Sequence, residues 1–160
     1  MSNAVGPVTV DKLRTLALVG AAATGKTGLS EALLLKAGAI ASAGSLARGT
    51  TVSDHDPLEV KAGRSLQPSV MHLTHGDVRV QFIDAPGSAQ FFGQSLPALE
   101  AVDTAAIVVS ASAGIEPMTV RMMEHAAEQG LDRMIIVNKI DAEGADLPAL
   151  LADLQATFGK

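Results

Sequence analysis

Cysteine, tryptophan and tyrosine are absent from this chain, and four phenylalanines supply all of its large aromatic rings. Without thiols there are no disulfides and no thiolate nucleophile or metal ligand. Without aromatics interleaved with Lys and Arg there is no stacking platform for bases, and a net charge of −5 gives no general attraction to a phosphate backbone. Direct nucleic-acid binding by this chain is therefore not expected. Neither a bilayer-spanning apolar run nor a secretory pattern is read in it, so a cytoplasmic protein without membrane contact is expected. What is present is 48% hydrophobic and rich in Ala, Val, Leu and Gly. Small aliphatics of this kind suit helices laid closely on a parallel sheet. At 160 residues the chain is one domain with room for a substantial core.

Period and punctuation predict strands over Leu13 to Val19, Ser69 to Thr74, Val78 to Asp84, Thr104 to Ser110 and Arg133 to Val137. Helices are predicted over Lys26 to Ala37, Gln90 to Ala101, Pro117 to Gln129 and Leu147 to Phe158. Strand and helix alternate after Val78, which implies right-handed crossovers and a mainly parallel sheet with helices on both faces. The exception is His75-Gly76-Asp77, where a short Gly turn between alternating segments predicts one antiparallel hairpin. From Ala39 to Gln67 the period is lost, and that stretch reads as a long loop.

Three short motifs carry chemistry, each at the C-terminal end of a predicted strand. Gly20-Ala21-Ala22-Ala23-Thr24-Gly25-Lys26-Thr27 fits G-x-x-x-x-G-K-[ST] and follows the apolar run Leu16-Ala17-Leu18-Val19. Two glycines let the backbone curl so that successive N–H groups, continuing through Gly28, face phosphate oxygens. Lys26 supplies a point charge, Thr27 a hydroxyl for Mg²⁺, and the helix that starts there turns its positive end to the anion. Asp84-Ala85-Pro86-Gly87 follows the strand from Val78. Its carboxylate can hold Mg²⁺ and Gly87 can donate its N–H to a terminal phosphate, although alone such a sequence is as readily an ordinary turn. Asn138-Lys139-Ile140-Asp141 follows the last strand. Asp141 can accept from N1–H and the 2-amino group of guanine, which adenine does not present together; Lys139 can lay its stem over the base and Asn138 can brace the loop.

In this order and at these separations the motifs resemble the G domain of translational GTPases, most of all elongation factor G and its paralogues. The resemblance runs from about Leu13 to the chain end and implies a P-loop NTPase fold, GTP or GDP as ligand, Mg²⁺ as cofactor, GTP hydrolysis and the ribosome as partner. It extends to Arg48-Gly49-Thr50-Thr51-Val52-Ser53-Asp54 and Gly63-Arg64-Ser65-Leu66, which fall where that family carries its first switch. Ser65 takes the place of the family threonine that binds Mg²⁺, so the metal set is Thr27, Ser65 and Asp84. Ordering of this segment is expected to depend on contacts with a γ-phosphate and Mg²⁺.

The departures bear on turnover. The family has a histidine after D-x-P-G, and this chain has Ser88, too short and without a suitable pKa to replace an imidazole. Catalytic candidates are therefore Lys26, Gly87 and, as a substitute for orienting water, Gln90. Ala23 stands where the family usually carries an acid, and the family's final S-A-[LK] motif has no counterpart. A weak or inactive GTPase is expected of the chain by itself, cut before its last strand and helix. The alternatives are a GTP- or GDP-binding module with little hydrolysis and, further off, a P-loop ATPase. Residues 1–10 read as a leader, with Ser2-Asn3-Ala4 a leftover tag, and residues 11–160 as the G domain. His72 and His75 read as exposed hairpin residues rather than metal ligands, His125 as a surface or edge residue, His55 as part of a solvated loop, and Met118, Met122 and Met123 as packing.

Overall fold

The computed structural model describes residues 8–53 and 56–159. Most of the expected leader, Ser2-Asn3-Ala4 included, and the loop residues Asp54 and His55 lie outside them.

Among the described residues five strands form one sheet: β1 (Leu13–Val19), β2 (Ser69–His75), β3 (Val78–Asp84), β4 (Thr104–Ser110) and β5 (Asp132–Asn138). Their spatial order is β2-β3-β1-β4-β5. β1 runs parallel to β3 and β4, β4 runs parallel to β5, and β2 with β3 is the antiparallel pair, with His75 opposite Val78. That register leaves Gly76-Asp77 as a two-residue hairpin loop, with Gly76 at a φ of 60°. The tight turn read from the sequence is therefore in place.

The central strands read as near-continuous apolar runs because both of their faces are covered. Ala105 to Val109 in β4 are fully buried. On one face Leu18, Phe82, Ala106 and Val108 pack under α1 (Lys26–Lys36) through Leu34. On the other, Ala17, Val19, Ile83, Ile107 and Val109 meet three further helices, which contribute Leu99, Met122 and Met123, and Leu150 and Leu154. These are α3 (Phe92–Glu100), α4 (Pro117–Glu128) and α5 (Leu147–Phe158). Met118, Met122 and Met123 are core, as read from the sequence.

The structure corrects the sequence reading in two places. The stretch from Ala39 to Gln67 carries a 3-10 turn at Leu46–Arg48 and a short helix, α2 (Pro57–Ala62). The helix expected from Gln90 begins at Phe92, because Ala89–Phe91 form a 3-10 turn first. His125, expected at the surface or an edge, is a half-buried edge residue of α4, with its Nδ1 3.8 Å from the exposed Glu128 Oε2. The remaining element bounds agree with the expectations to within about a residue, the ordinary uncertainty of helix and strand ends.

Candidate functional site: a phosphate loop, a hydroxyl–carboxylate cluster and a purine loop

The parallel strands β1, β3 and β5 all point their C-terminal ends the same way, so the loops after Val19, Asp84 and Asn138 gather at one rim of the sheet. This is the crevice where open α/β sheets hold ligands. A cavity of about 450 Å³ lies there, lined by Ala22, Ala23, Gly25, Lys26, Thr27 and Gly28 of the first motif, Ala85, Gly87 and Ser88 of the second, Lys139 of the third, and Leu46, Gly63, Arg64 and Ser65 from the segment between.

The phosphate loop is wound tightly. Thr24 Oγ1 donates to Ala21 O at 3.1 Å, and the Lys26 ammonium folds back to donate to Gly20 O at 3.1 Å and Ala21 O at 2.7 Å. Two of the three ammonium donors are thus engaged by the loop's own carbonyls. Lys26 is 6% exposed, and burial pushes its pKa down from 10.5 to about 8, against the Asp84 and Glu116 carboxylates, which hold it up. Gly87 must be a glycine: a Cβ there would meet the Lys26 Nζ and lie 2.6 Å from Ala21 O. The D-x-P-G loop is pinned from both sides, by Ala85 N donating to Leu18 O at 3.1 Å and by Ser95 Oγ of α3 donating to Pro86 O at 2.7 Å.

The three residues read from sequence as metal ligands meet. Thr27 Oγ1 donates to Asp84 Oδ2 at 2.7 Å and lies 3.3 Å from Ser65 Oγ. Two hydroxyls and a carboxylate, 57 positions apart at the extremes, make a small all-oxygen donor set. Hard oxygen ligands with one carboxylate suit Mg²⁺, which keeps several waters and takes its remaining ligands from phosphates.

The purine loop is tied to the phosphate loop by one side chain. Asn138 Nδ2 donates to Thr24 O at 3.0 Å, while Asn138 O accepts from Ala111 N at 2.8 Å. Gly25, at a φ of 92°, could carry no Cβ without striking that amide. Lys139 adopts a φ of 56° and Ala23 a φ of 60°, the two non-glycine residues with positive φ among those described. A non-glycine left-handed residue costs on the order of 1 kcal/mol and collects where a ligand dictates the backbone. Both border the cavity. Asp141 is exposed in the turn that follows, outside the cavity lining.

Gln90 is not brought to this cavity. It lines a separate open depression with Pro68, Gly93, Gln94 and Pro97. Ser88, by contrast, does line the phosphate cavity, as the N-cap of the 3-10 turn. Sequence reasoning missed Arg64 and two buried glutamates beside the site. Arg64 lines the cavity with its guanidinium carbon 5.8 Å from the centre of the Phe91 ring. Glu31 is 3% exposed and accepts from Gly44 N at 2.6 Å and Val52 N at 2.5 Å. Glu59 is 4% exposed and accepts from the backbone beyond Ser65. The signal for Glu31 was its place one helical turn after Thr27, on the same face of α1.

Comparison with known proteins places this arrangement. The family profile described as the elongation factor Tu GTP-binding domain matches residues 11–160. An elongation factor G-like protein of Mycobacterium tuberculosis is 34% identical over 147 residues, which cover 92% of this chain and 21% of that protein. Peptide chain release factor 3 of Symbiobacterium thermophilum is 35% identical over 155 residues, 94% of this chain and 29% of that protein. Tetracycline resistance protein TetO of Campylobacter jejuni is 37% identical over 146 residues, 91% of this chain and 23% of that protein. A solved structure from Thermus thermophilus superposes with a TM-score of 0.88 at 44% identity, covering 91% of this chain and 22% of that one. The chain thus spans less than a third of the curated relatives named here. With the three loops at one rim of a sheet of this topology, the chain belongs to the GTP-binding domain family of elongation factor Tu and the translation factors related to it.

Proposed function

We propose that this domain binds GTP and GDP with Mg²⁺ and hydrolyses GTP as the nucleotide switch of an elongation factor G-like protein working on the ribosome. The observation that carries the reading is the contact of Thr27 with both Asp84 and Ser65, directly under the phosphate loop. Backbone N–H groups from Ala21 to Gly28 and the Lys26 ammonium bind the β- and γ-phosphates, and Gly87 donates its N–H to the γ-phosphate. Thr27, Ser65 and Asp84 would hold Mg²⁺, which when bound would neutralise charge on the β- and γ-phosphates. Asp141 selects guanine through a pair of accepted hydrogen bonds, with Lys139 over the ring and Asn138 bracing both loops. These groups stabilise charge that grows on the phosphates during transfer, so they support hydrolysis without any covalent chemistry by the protein.

A second reading, a guanine-nucleotide-binding module with little turnover, is favoured by Ser88. Among the described residues no imidazole stands in the cavity lining to orient water, and Gln90 lies on another depression. Calorimetric titration with GDP, GTP and ATP in Mg²⁺ tests the shared part: both guanine nucleotides should bind and ATP should bind far more weakly, whereas equal ATP binding would remove the guanine assignment. Single-turnover hydrolysis with and without ribosomes separates the two readings. Acceleration by ribosomes supports the first, and a flat rate supports the second. Ser88→His should raise a flat rate if the missing imidazole is the sole deficit.

A further inference from the structure

We infer that Glu59 is a positioning residue that presents Ser65 to the Thr27–Asp84 pair, and that through this role it sets how tightly Mg²⁺ and a γ-phosphate are held together. The inference rests on the nucleotide reading above and adds to it a residue that lies outside the three motifs.

Glu59 is the third residue of α2, a helix of six residues whose N-terminus is capped by Asp56 Oδ1 accepting from Leu58 N at 2.7 Å. In a helix that starts D-P-x-E, a glutamate at this position commonly reaches back to the N-cap backbone. Here it turns inward, is 4% exposed, and its Oε1 accepts from Leu66 N at 2.9 Å and Gln67 N at 3.1 Å. Those amides come immediately after Ser65, whose Oγ is 3.3 Å from Thr27 Oγ1, itself donating to Asp84 Oδ2. The backbone around Ser65 is also held from the other side, where Arg64 N donates to Glu59 O at 3.3 Å. One residue therefore grips the chain both before and after Ser65, by its carbonyl and by its carboxylate.

Burying a carboxylate costs several kcal/mol unless strong donors meet it. Among the described residues the ion pairs are Lys12 with Asp77 and His125 with Glu128, so backbone amides and not a cation compensate Glu59. An apolar residue would fill an inward position on so short a helix at no such cost. A charged acceptor adds direction: charge-assisted bonds from two successive N–H groups fix the peptide planes that follow Ser65, and with them the hydroxyl. Partners of this kind, one shell behind a ligand, commonly govern metal affinity as strongly as a ligand does.

The test is GTP and GDP binding as a function of Mg²⁺ concentration for the wild-type chain, Glu59→Ala, Glu59→Gln, Ser65→Ala and the double variant Glu59→Ala/Ser65→Ala, with thermal melts of each and amide exchange at Leu66 and Gln67. Glu59→Ala should raise the Mg²⁺ needed for half-maximal GTP binding about tenfold. It should leave GDP affinity within about twofold of wild type, and the double variant should be no worse than Ser65→Ala, again within about twofold. Glu59→Gln, whose carbonyl oxygen still accepts, should recover most of the loss and keep both amides protected. If Glu59→Ala does not fold, Glu59→Asp carries the same expectation by shortening the reach. Effects of the two alanine changes that multiply, or equal weakening of GDP and GTP, would overturn the inference. Wild-type binding of both nucleotides with a Glu59→Ala variant that behaves identically sinks the positioning role alone. Wild-type failure to bind either nucleotide sinks the nucleotide reading and this role with it.

Discussion

The two ends of the site are built differently. At the phosphate end Lys26, Thr27 and Asp84 are 6%, 7% and 1% exposed and bonded to one another or to the loop backbone, Asp84 closing β3 and Lys26 and Thr27 opening α1 over the core. At the purine end Lys139 and Asp141 are exposed, on a turn after β5, whose residues are exposed or only partly buried. One half of the site is continuous with the core, while the other hangs on the Asn138 amide and a single strand end. The phosphate end is therefore set in advance of any ligand, and the cost of holding it so is met by the core. The purine end has little core to draw on, so its geometry should depend more on a ligand. Affinity should come mainly from the first, and discrimination between bases from the second.

Removing the buried cation should produce the largest effect. Lys26→Ala should weaken GTP and GDP by about 2–5 kcal/mol, the range for losing one partner of a desolvated charge pair, in fluorescence or calorimetric titration. A loss under about tenfold would mean that the phosphate end does not dominate.

The same lysine should cost the empty fold stability. Its pKa of about 8 lies below the unfolded value of 10.5, so between those pH values the unfolded chain binds more protons and stability rises with pH. The penalty is complete below pH 8 and relieved as pH climbs toward 10.5, amounting to about 3 kcal/mol. In urea unfolding without nucleotide or Mg²⁺, Lys26→Met should be more stable than wild type at about pH 7, with the gap closing by about pH 10. A gap independent of pH would assign the difference to packing instead.

At the purine end, Asp141→Asn should weaken GTP by about 2 kcal/mol and shift preference toward xanthosine triphosphate, because an amide can donate to the oxygen that replaces the 2-amino group. Unchanged base preference would remove Asp141 from the site. The smallest effect should come from the link between the halves. Asn138→Ala deletes the hydrogen bond to Thr24 O and should weaken GTP by about 1 kcal/mol, leaving inorganic pyrophosphate binding unaltered. Equal loss for pyrophosphate would show that Asn138 shapes the phosphate loop itself.

What could be read in the sequence follows the same division between contiguous and assembled features. Each motif is local: Gly20 to Thr27, Asp84 to Gly87 and Asn138 to Asp141 each sit at a strand end, and a parallel sheet brings strand ends together without further instruction. The strands were legible because buried runs such as Ala105 to Val109 have no polar interruptions. The segment from Ala39 to Gln67 was not, since α2 is too short for a period to develop. Its signal was a cap rather than a period, with Asp56 at the N-cap, Pro57 first in the helix and Glu59 third. Gln90 misled because proximity to Asp84 in sequence says nothing about direction once a 3-10 turn intervenes. The roles of Glu31 and Glu59 were not legible, because each bonds to backbone amides, which no pattern of side chains records, and only their positions, one turn after Thr27 and third in α2, pointed to them.

The hairpin loop offers a practical consequence. β3 carries the chain from Gly76-Asp77 at one end to Asp84 at the other, seven residues and therefore about 20 Å away from the cavity. Asp77 is exposed and its ion pair with Lys12 is a surface one. Because the chain contains no cysteine, Asp77→Cys would install a sole thiol on the far pole of the sheet, where a dye or a tether to a solid support reports on the domain without touching the nucleotide.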